Sequence, residues 1–329
     1  MRYQLRYTPV WSSIILAFAE VKEAKRDMAP VTFSVNRDGV GVLTMNRPHA
    51  RNALTWEAMH AFAKAVQAAQ AALDHPRSQA LAKTALMSSR RRKNDPVTAD
   101  SSSTAVLSTG VDDGNPMMRA LIVTGADGAF CSGGDLIELD KYPSQTDGAR
   151  LGIVMGEALD QLAALPIPTV AAVEGPAIGG GAEIALACDL RVLAEGSLIG
   201  LTHARLGIIP AWGGGQRLLR LVGYSKALEW LASGRMLSAA EAYTAGLANR
   251  LVPAGQALAE ALQLAKSFVE RAATAVRAVK ELLRAGISLP AEDAAMTERS
   301  LFPDLWAASE HLQASASFVA RKNHKPRRD

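Results

Sequence analysis

Glu183 is the first residue here whose type and placement suggest chemistry. It stands just after the triplet Gly179-Gly180-Gly181, inside the stretch V-A-A-V-E-G-P-A-I-G-G-G-A-E-I-A-L-A-C-D of residues 170–189. That stretch opens as a β-branched apolar run from Thr169 to Val173 and breaks at Gly175-Pro176. It then enters a small-residue helix from Ala182 to Ala187. The pattern predicts a strand, a tight turn and a helix start. Glycines at a helix N-terminus leave backbone N–H groups bare, and the helix dipole adds to their attraction for an anion. The plainer alternative is a packed turn in which Glu183 is only a charge at a helix start.

A second stretch has the same grammar. Residues 119–125, R-A-L-I-V-T-G, read as a buried parallel strand. Residues 129–136, A-F-C-S-G-G-D-L, follow as a glycine turn entering a helix near Asp135. Two strand–glycine–helix units can aim two N–H groups at one oxygen. Such a pair stabilises the oxygen of a thioester enolate or tetrahedral intermediate better than a ground-state carbonyl.

The motifs F-C-S-G-G-D-L and G-P-A-I-G-G-G-A-E, with N-R-P-x-x-R-N-A-L upstream, resemble the enoyl-CoA hydratase/isomerase (crotonase) superfamily. The resemblance covers residues 31–74 and 119–321. It implies an α/β fold, a crotonase-like spiral of ββα units with a helical C-terminal region. It also implies an acyl-CoA thioester as ligand, with the N–H groups of Gly134 and Gly180 as oxyanion donors. By the same resemblance Arg51, Ala53, Leu54, Ser132, Gly133, Asp135, Leu136, Gly179, Thr202, Leu206 and Trp212 would contact substrate or its CoA portion. Arg51 is also readable as a surface charge, and Trp212 as loop packing.

Hydratases of this superfamily use two glutamates to position and activate water. Glu183 fills the first position. The second falls in a G-x-P-E-x-x-L-G segment, which here reads G-L-T-H-A-R-L-G, so His203 stands where that glutamate would be. A lone carboxylate can transfer one proton but cannot reproduce a paired-carboxylate geometry, although His203 could substitute as a base. A structural histidine bonded to a backbone carbonyl is the other reading of His203. The words A-C-D-L-R-V-L, H-A-R-L-G-I-I-P-A-W-G-G and E-R-S-L-F-P-D-L-W resemble the ethylmalonyl-CoA decarboxylase branch. That branch implies loss of CO2 from a 2-substituted malonyl-CoA, with Glu183 or His203 protonating the α-carbon and Trp212 and Ile208 forming an acyl pocket. No metal or other cofactor is implied; coenzyme A enters with the substrate. The rivals are an enoyl-CoA hydratase or isomerase and an RNA-binding relative acting through Arg90 to Lys93.

The elements that must position these residues follow in order. Residues 31–36 and 40–46 alternate at period two around Asp38-Gly39, a hairpin pattern. Thr55 caps an amphipathic helix with Trp56, Met59, Phe62, Ala63 and Val66 on one face. Residues 149–165 form another helix, and Ser238 with Glu241 forms a capping box. The chain divides into an extension over 1–28, a core over 29–253 and a helical region over 254–322 that the resemblance assigns to trimer or hexamer formation. A charged tail follows over 323–329. Residues 75–118, rich in breakers and basic groups, read as a disordered insert within the core.

Composition narrows the class. The net charge of +4 is modest and does not point to nucleic acid, and no apolar run reaches the length of a membrane span. Two cysteines, Cys131 and Cys188, fit no zinc spacing and read as buried thiols of a reducing compartment. The first 19 residues contain Arg2 and Arg6 and no acid, which a mitochondrial presequence would share. Met28 as the true start is the alternative. The expected compartment is cytoplasmic or mitochondrial, the former preferred.

Overall fold

A computed structural model of the chain describes residues 29–73 and 117–323. The expected extension 1–28, the basic quartet Arg90 to Lys93 and the end of the charged tail lie outside the described residues. The insert expected over 75–118 lies outside them only as far as residue 116. Met118 is a correction: it is fully buried, because its N–H reaches back to the Ala72 carbonyl and its side chain joins the core.

The chain begins as the hairpin its alternation predicts. β1 (Val31–Val35) and β2 (Val40–Met45) pair antiparallel, with Val31 opposite Met45. The Asn36 side-chain oxygen accepts the N–H groups of Asp38 and Val40, and Gly39 takes φ +77°, a conformation that favours glycine. The remaining strands of the main sheet are parallel. β3 (Ala120–Gly125), β4 (Thr169–Val173), β6 (Leu190–Ala194) and β9 (Arg250–Val252) give the order β1-β2-β3-β4-β6-β9. A smaller sheet of β5 (Ala177–Ile178), β7 (Leu198–Gly200) and β8 (Leu237–Ser238) has the order β5-β7-β8.

Every residue of β4 is buried because both faces of the main sheet are covered. Ala171 and Val173 join a large core with Met59, Phe62 and Val66 of α1 (Trp56–Ala71) and Met155 and Leu159 of α3 (Gln145–Ala164). Val170 and Ala172 face the other way, against Ala257, Ala261 and Ala265 of α8 (Ala257–Val269). That four-residue alanine spacing puts one smooth helix face on the sheet. The caps are those legible in sequence: Thr55 accepts the Ala58 N–H, and Ser238 and Glu241 form a reciprocal capping box. The helix expected over 149–165 starts earlier, at Gln145, behind a second capping box of Ser144 and Asp147.

The other helices are α2 (Leu136–Leu139), α4 (Gly180–Ala187), α5 (Gly214–Val222), α6 (Tyr224–Ser233) and α7 (Ala239–Thr244). The C-terminal region supplies α9 (Ala273–Ser288), α10 (Ala291–Trp306) and α11 (Ser309–Asn323). Lys280 docks α9 on the core: its Nζ donates to Asp189 Oδ2 at 2.6 Å and to the Ile167 carbonyl at 2.8 Å. Helix α10 buries no residue, and Met296, Phe302, Trp306 and Phe318 remain exposed on α10 and α11. Among the described residues no helix is long and apolar enough to cross a membrane.

A buried cation closes the far end of α4. The Arg191 guanidinium, 2% exposed, donates to the carbonyls of Leu247 at 2.6 Å, Cys188 at 2.7 Å, Asp189 at 3.2 Å and Ala185 at 3.3 Å. Burial pushes its pKa below the ordinary arginine value, which the Asp189 carboxylate opposes. Carbonyls at a helix C-terminus favour a cation, so the site suits arginine. Arg191→Met should therefore lower the unfolding free energy by about 3 kcal/mol, because buried carbonyls lose their donors. Urea unfolding measures this, and a loss under about 1 kcal/mol would contradict it.

Candidate active site

The two glycine loops are joined by backbone bonds. Cys131 donates its N–H to the Pro176 carbonyl at 3.0 Å and accepts the Ile178 N–H at 2.9 Å. The loops then run so close that Gly133 and Gly181 must lack side chains. A Cβ on Gly133, which has φ +90°, would lie 2.8 Å from the Ile178 oxygen and 3.1 Å from the Gly180 nitrogen. A Cβ on Gly181 would strike the Cys131 carbonyl. On the other side, Leu54 donates to the Gly133 carbonyl at 2.8 Å and accepts the Asp135 N–H at 2.9 Å. In such a bridge the intervening residue turns its own N–H away from the partner, so that of Gly134 points away from Leu54. Gly180 is the first residue of α4, where an N–H has no intrahelical acceptor. Gly134 and Gly180 line the same cavity.

Glu183 lies one turn into α4 and is 1% exposed. Its Oε2 accepts the N–H of Trp212 at 2.9 Å and of Gly214 at 2.8 Å. Its Oε1 lies 3.2 Å from His203 Nε2. Oε2 is thus occupied, and a proton passed by this carboxylate travels through Oε1. His203 is held by the 3₁₀ turn Thr202–Leu206, whose His203 carbonyl accepts the Ile208 N–H. Its Nδ1 is buried without a partner among the described residues. Of the two readings of His203, the ring therefore faces a carboxylate and not a backbone carbonyl.

The cavity is about 360 Å³ and its wall is mainly apolar. Ser132, Gly133, Gly134, Leu136, Gly179 and Gly180, all among the residues the resemblance assigns to the site, line it. So do Glu183, Thr202, His203, Leu206, Ile208 and Trp212. The structure does not bring four expected contacts to it. Ala53 and Leu54 are buried behind the wall, with Leu54 spent on the bridge to Gly134. Arg51 takes a left-handed φ of +51° and uses its carbonyl to accept the Ser132 N–H, with its side chain exposed outside the cavity. The Asp135 carboxylate is engaged by Arg47 Nη1 at 3.2 Å, and the same nitrogen donates to the Ala53 carbonyl at 2.6 Å. Asp135 thus locks the Arg47–Leu54 segment onto the glycine loop.

Sequence reasoning missed Leu139, Leu151, Ile178, Arg205, Ile209, Ala211 and Met236, which also line the wall. It also missed Gly214, whose missing side chain makes room for Glu183: a Cβ there would lie 2.6 Å from Glu183 Cγ. The signal was present in the run Trp212-Gly-Gly-Gly215, a second glycine triplet opposite the first. Trp212 both packs and lines the cavity. Its indole Nε1 donates to the Leu151 carbonyl at 3.1 Å, and its ring covers Gly180. Burial pushes the Cys131 thiol up to about 12, so it is a packed neighbour of the loop and not a nucleophile. Among the described residues no cluster of three or more His, Cys, Asp or Glu is placed to hold a metal.

The chain belongs to the enoyl-CoA hydratase/isomerase family, whose family model matches residues 102–325. It is an enzyme that processes acyl-CoA thioesters. It is 35% identical to the ethylmalonyl-CoA decarboxylase of Xenopus laevis over 62% of this chain and 69% of that protein. It is 31% identical to the probable enoyl-CoA hydratase echA8 of Mycobacterium tuberculosis over 88% of this chain and 96% of that protein. The crystal structure of an enoyl-CoA hydratase from Bacillus anthracis matches with a TM-score of 0.71 and 26% identity, covering 89% of this chain and 96% of the other.

The contact between Gly180 and the Trp212 ring admits no methyl group. Gly180→Ala should cost about 2 kcal/mol of stability through overpacking. Thermal or urea unfolding of the variant tests this, and a change below about 0.5 kcal/mol would refute the packing described here.

Proposed function

We propose that this enzyme decarboxylates a short 2-substituted malonyl-CoA, ethylmalonyl-CoA or methylmalonyl-CoA. The observation that carries the proposal is the direct contact between Glu183 Oε1 and His203 Nε2 at 3.2 Å. Two groups that share a bridging water stand about 4.5 Å apart, because each hydrogen bond to it spans about 2.8 Å. The contact leaves no such place between these two side chains, and the second carboxylate of the hydratase pattern is replaced by His203. The similarity to ethylmalonyl-CoA decarboxylases supports the same reading.

The chemistry needs two things from the chain. As the bond from the α-carbon to the carboxylate breaks, CO2 leaves and the electron pair moves into the thioester, placing negative charge on its oxygen. The N–H groups of Gly134 and Gly180 serve as the oxyanion hole for that oxygen. A donor in such a place is worth about 3 kcal/mol of barrier. The wall is mainly apolar, with Leu139, Leu151 and Met236 in it and Arg205 also lining it; a carboxylate set against its apolar part is poorly solvated, which favours the neutral product. The Glu183–His203 pair then delivers one proton to the α-carbon and regains it from solvent. This route requires no metal, biotin or other cofactor.

The match to a probable enoyl-CoA hydratase over most of the chain favours hydration as the second reading. Incubation with ethylmalonyl-CoA, methylmalonyl-CoA and crotonyl-CoA separates the two. The proposal expects CO2 from the malonyl esters and a drop of about 100-fold in kcat for Glu183→Gln. Hydration of crotonyl-CoA without CO2 from either malonyl ester would reject it.

We also propose that the protein assembles as a homotrimer or hexamer through its C-terminal helices. A helix as long as α10 that buries nothing is marginal alone, and Phe302 and Trp306 are both 59% exposed. Sedimentation should give three or six chains, and Phe302→Glu with Trp306→Glu should dissociate them. A single-chain species in the parent would overturn the assembly.

A further inference from the structure

We infer that Arg217 is a positioning residue that sets the orientation of Glu183 through the backbone of the turn between them. The inference rests on the reading above only in treating Glu183 as a group that touches substrate. Arg217 Nη1 donates to the Trp212 carbonyl at 2.6 Å, and Nη2 donates to Asp160 Oδ1 at 2.6 Å. Trp212 gives its own N–H to Glu183 Oε2, and Gly214 gives the second. One residue therefore receives the guanidinium on its carbonyl and hands its amide to the carboxylate. The turn is otherwise pliant, because Gly213 adopts φ +87° and is followed by two more glycines. A Cβ on Gly213 would lie 2.7 Å from Arg217 Nη1, so the guanidinium sits directly beside the turn.

Both anchors of this turn lead to α3. The Trp212 indole bonds to the Leu151 carbonyl, and Arg217 bonds to Asp160, one on each side of the glycine pair Gly152 and Gly156. A Cβ on either glycine would lie 3.8 Å from Ala211, so the helix approaches the turn closely. Burial lowers the Arg217 pKa, and the charges that oppose it are Asp160 first and Glu183 second. The cation thus stands within electrostatic reach of the buried carboxylate as well as of its exposed partner. Without it the Trp212 peptide can rotate, Oε2 loses a donor, and Oε1 no longer faces His203.

The test uses the full-length protein as Arg217→Met, which keeps the bulk, Arg217→Lys, which keeps the charge, and Asp160→Asn. The parent is first assayed on the malonyl and enoyl esters, and the variants are compared on whichever ester it converts. Arg217→Met should lower kcat about 100-fold, the cost of a small misplacement, with KM within about threefold. Arg217→Lys should restore about tenfold of that loss. Amide hydrogen exchange at Trp212 and Gly214 should quicken at least about tenfold in Arg217→Met, while β4 stays protected. Asp160→Asn should give a smaller change in the same directions, and it decides with Arg217→Lys if Arg217→Met fails to fold. Exchange at Trp212 and Gly214 equal to the parent's, or kcat within about twofold of it, would overturn the inference. A parent that releases no CO2 rejects the decarboxylase reading alone; one that converts no ester leaves exchange to decide.

Discussion

Two backbone N–H groups converge on one oxygen of a buried carboxylate, and most of the site follows from that constraint. An ionisable group as enclosed as Glu183, at 1% exposure, is costly to bury unless its oxygens find donors. Hydrogen bonds to a charged acceptor are worth about 2 kcal/mol each, so the pair from Trp212 and Gly214 offsets much of that cost. Three glycines are consequences. Gly214 leaves room for the Glu183 side chain, Gly180 leaves room for the Trp212 ring, and Gly181 lets α4 start against the Cys131 carbonyl. The other Glu183 oxygen is left for His203.

The same arrangement relates the scaffold to the reaction. The parallel strands β3 and β4 lead into the two glycine loops from neighbouring positions in one sheet. Their spacing brings Gly134 and Gly180 to one cavity without any side chain having to reach. Arg191 ties down the C-terminal end of α4, while the glycine triplet forms its N-terminal end. A short helix held at both ends presents its first N–H in a fixed direction. That rigidity is what electrostatic preorganisation of an enolate requires.

The sequence was most legible where function depends on neighbours in the chain. The hairpin around Asp38-Gly39, the Thr55 cap, the Ser238 capping box and the glycine turns before Asp135 and Glu183 all obey local rules. Legibility ended where partners lie far apart in sequence. Nothing local announces that Asp135 pairs with Arg47, 88 residues away. Nothing local places Arg51, Ala53 and Leu54 outside the cavity they frame, or brings Met236 into it. The replacement of a glutamate by His203 was visible, but its consequence was not. Whether that ring faced Glu183 or a carbonyl depended on how two sheets pack, which no pattern of spacing encodes.

In the decarboxylation we propose, an enolate is held by two glycine amides and quenched by the Glu183–His203 pair from one side. Turnover of ethylmalonyl-CoA in deuterium oxide probes both halves at once. The account predicts butyryl-CoA bearing a single α-deuterium of one configuration, resolved by mass spectrometry and NMR. Recovery of the ester unchanged, or label distributed over both configurations as bulk solvent would deliver it, would contradict the account.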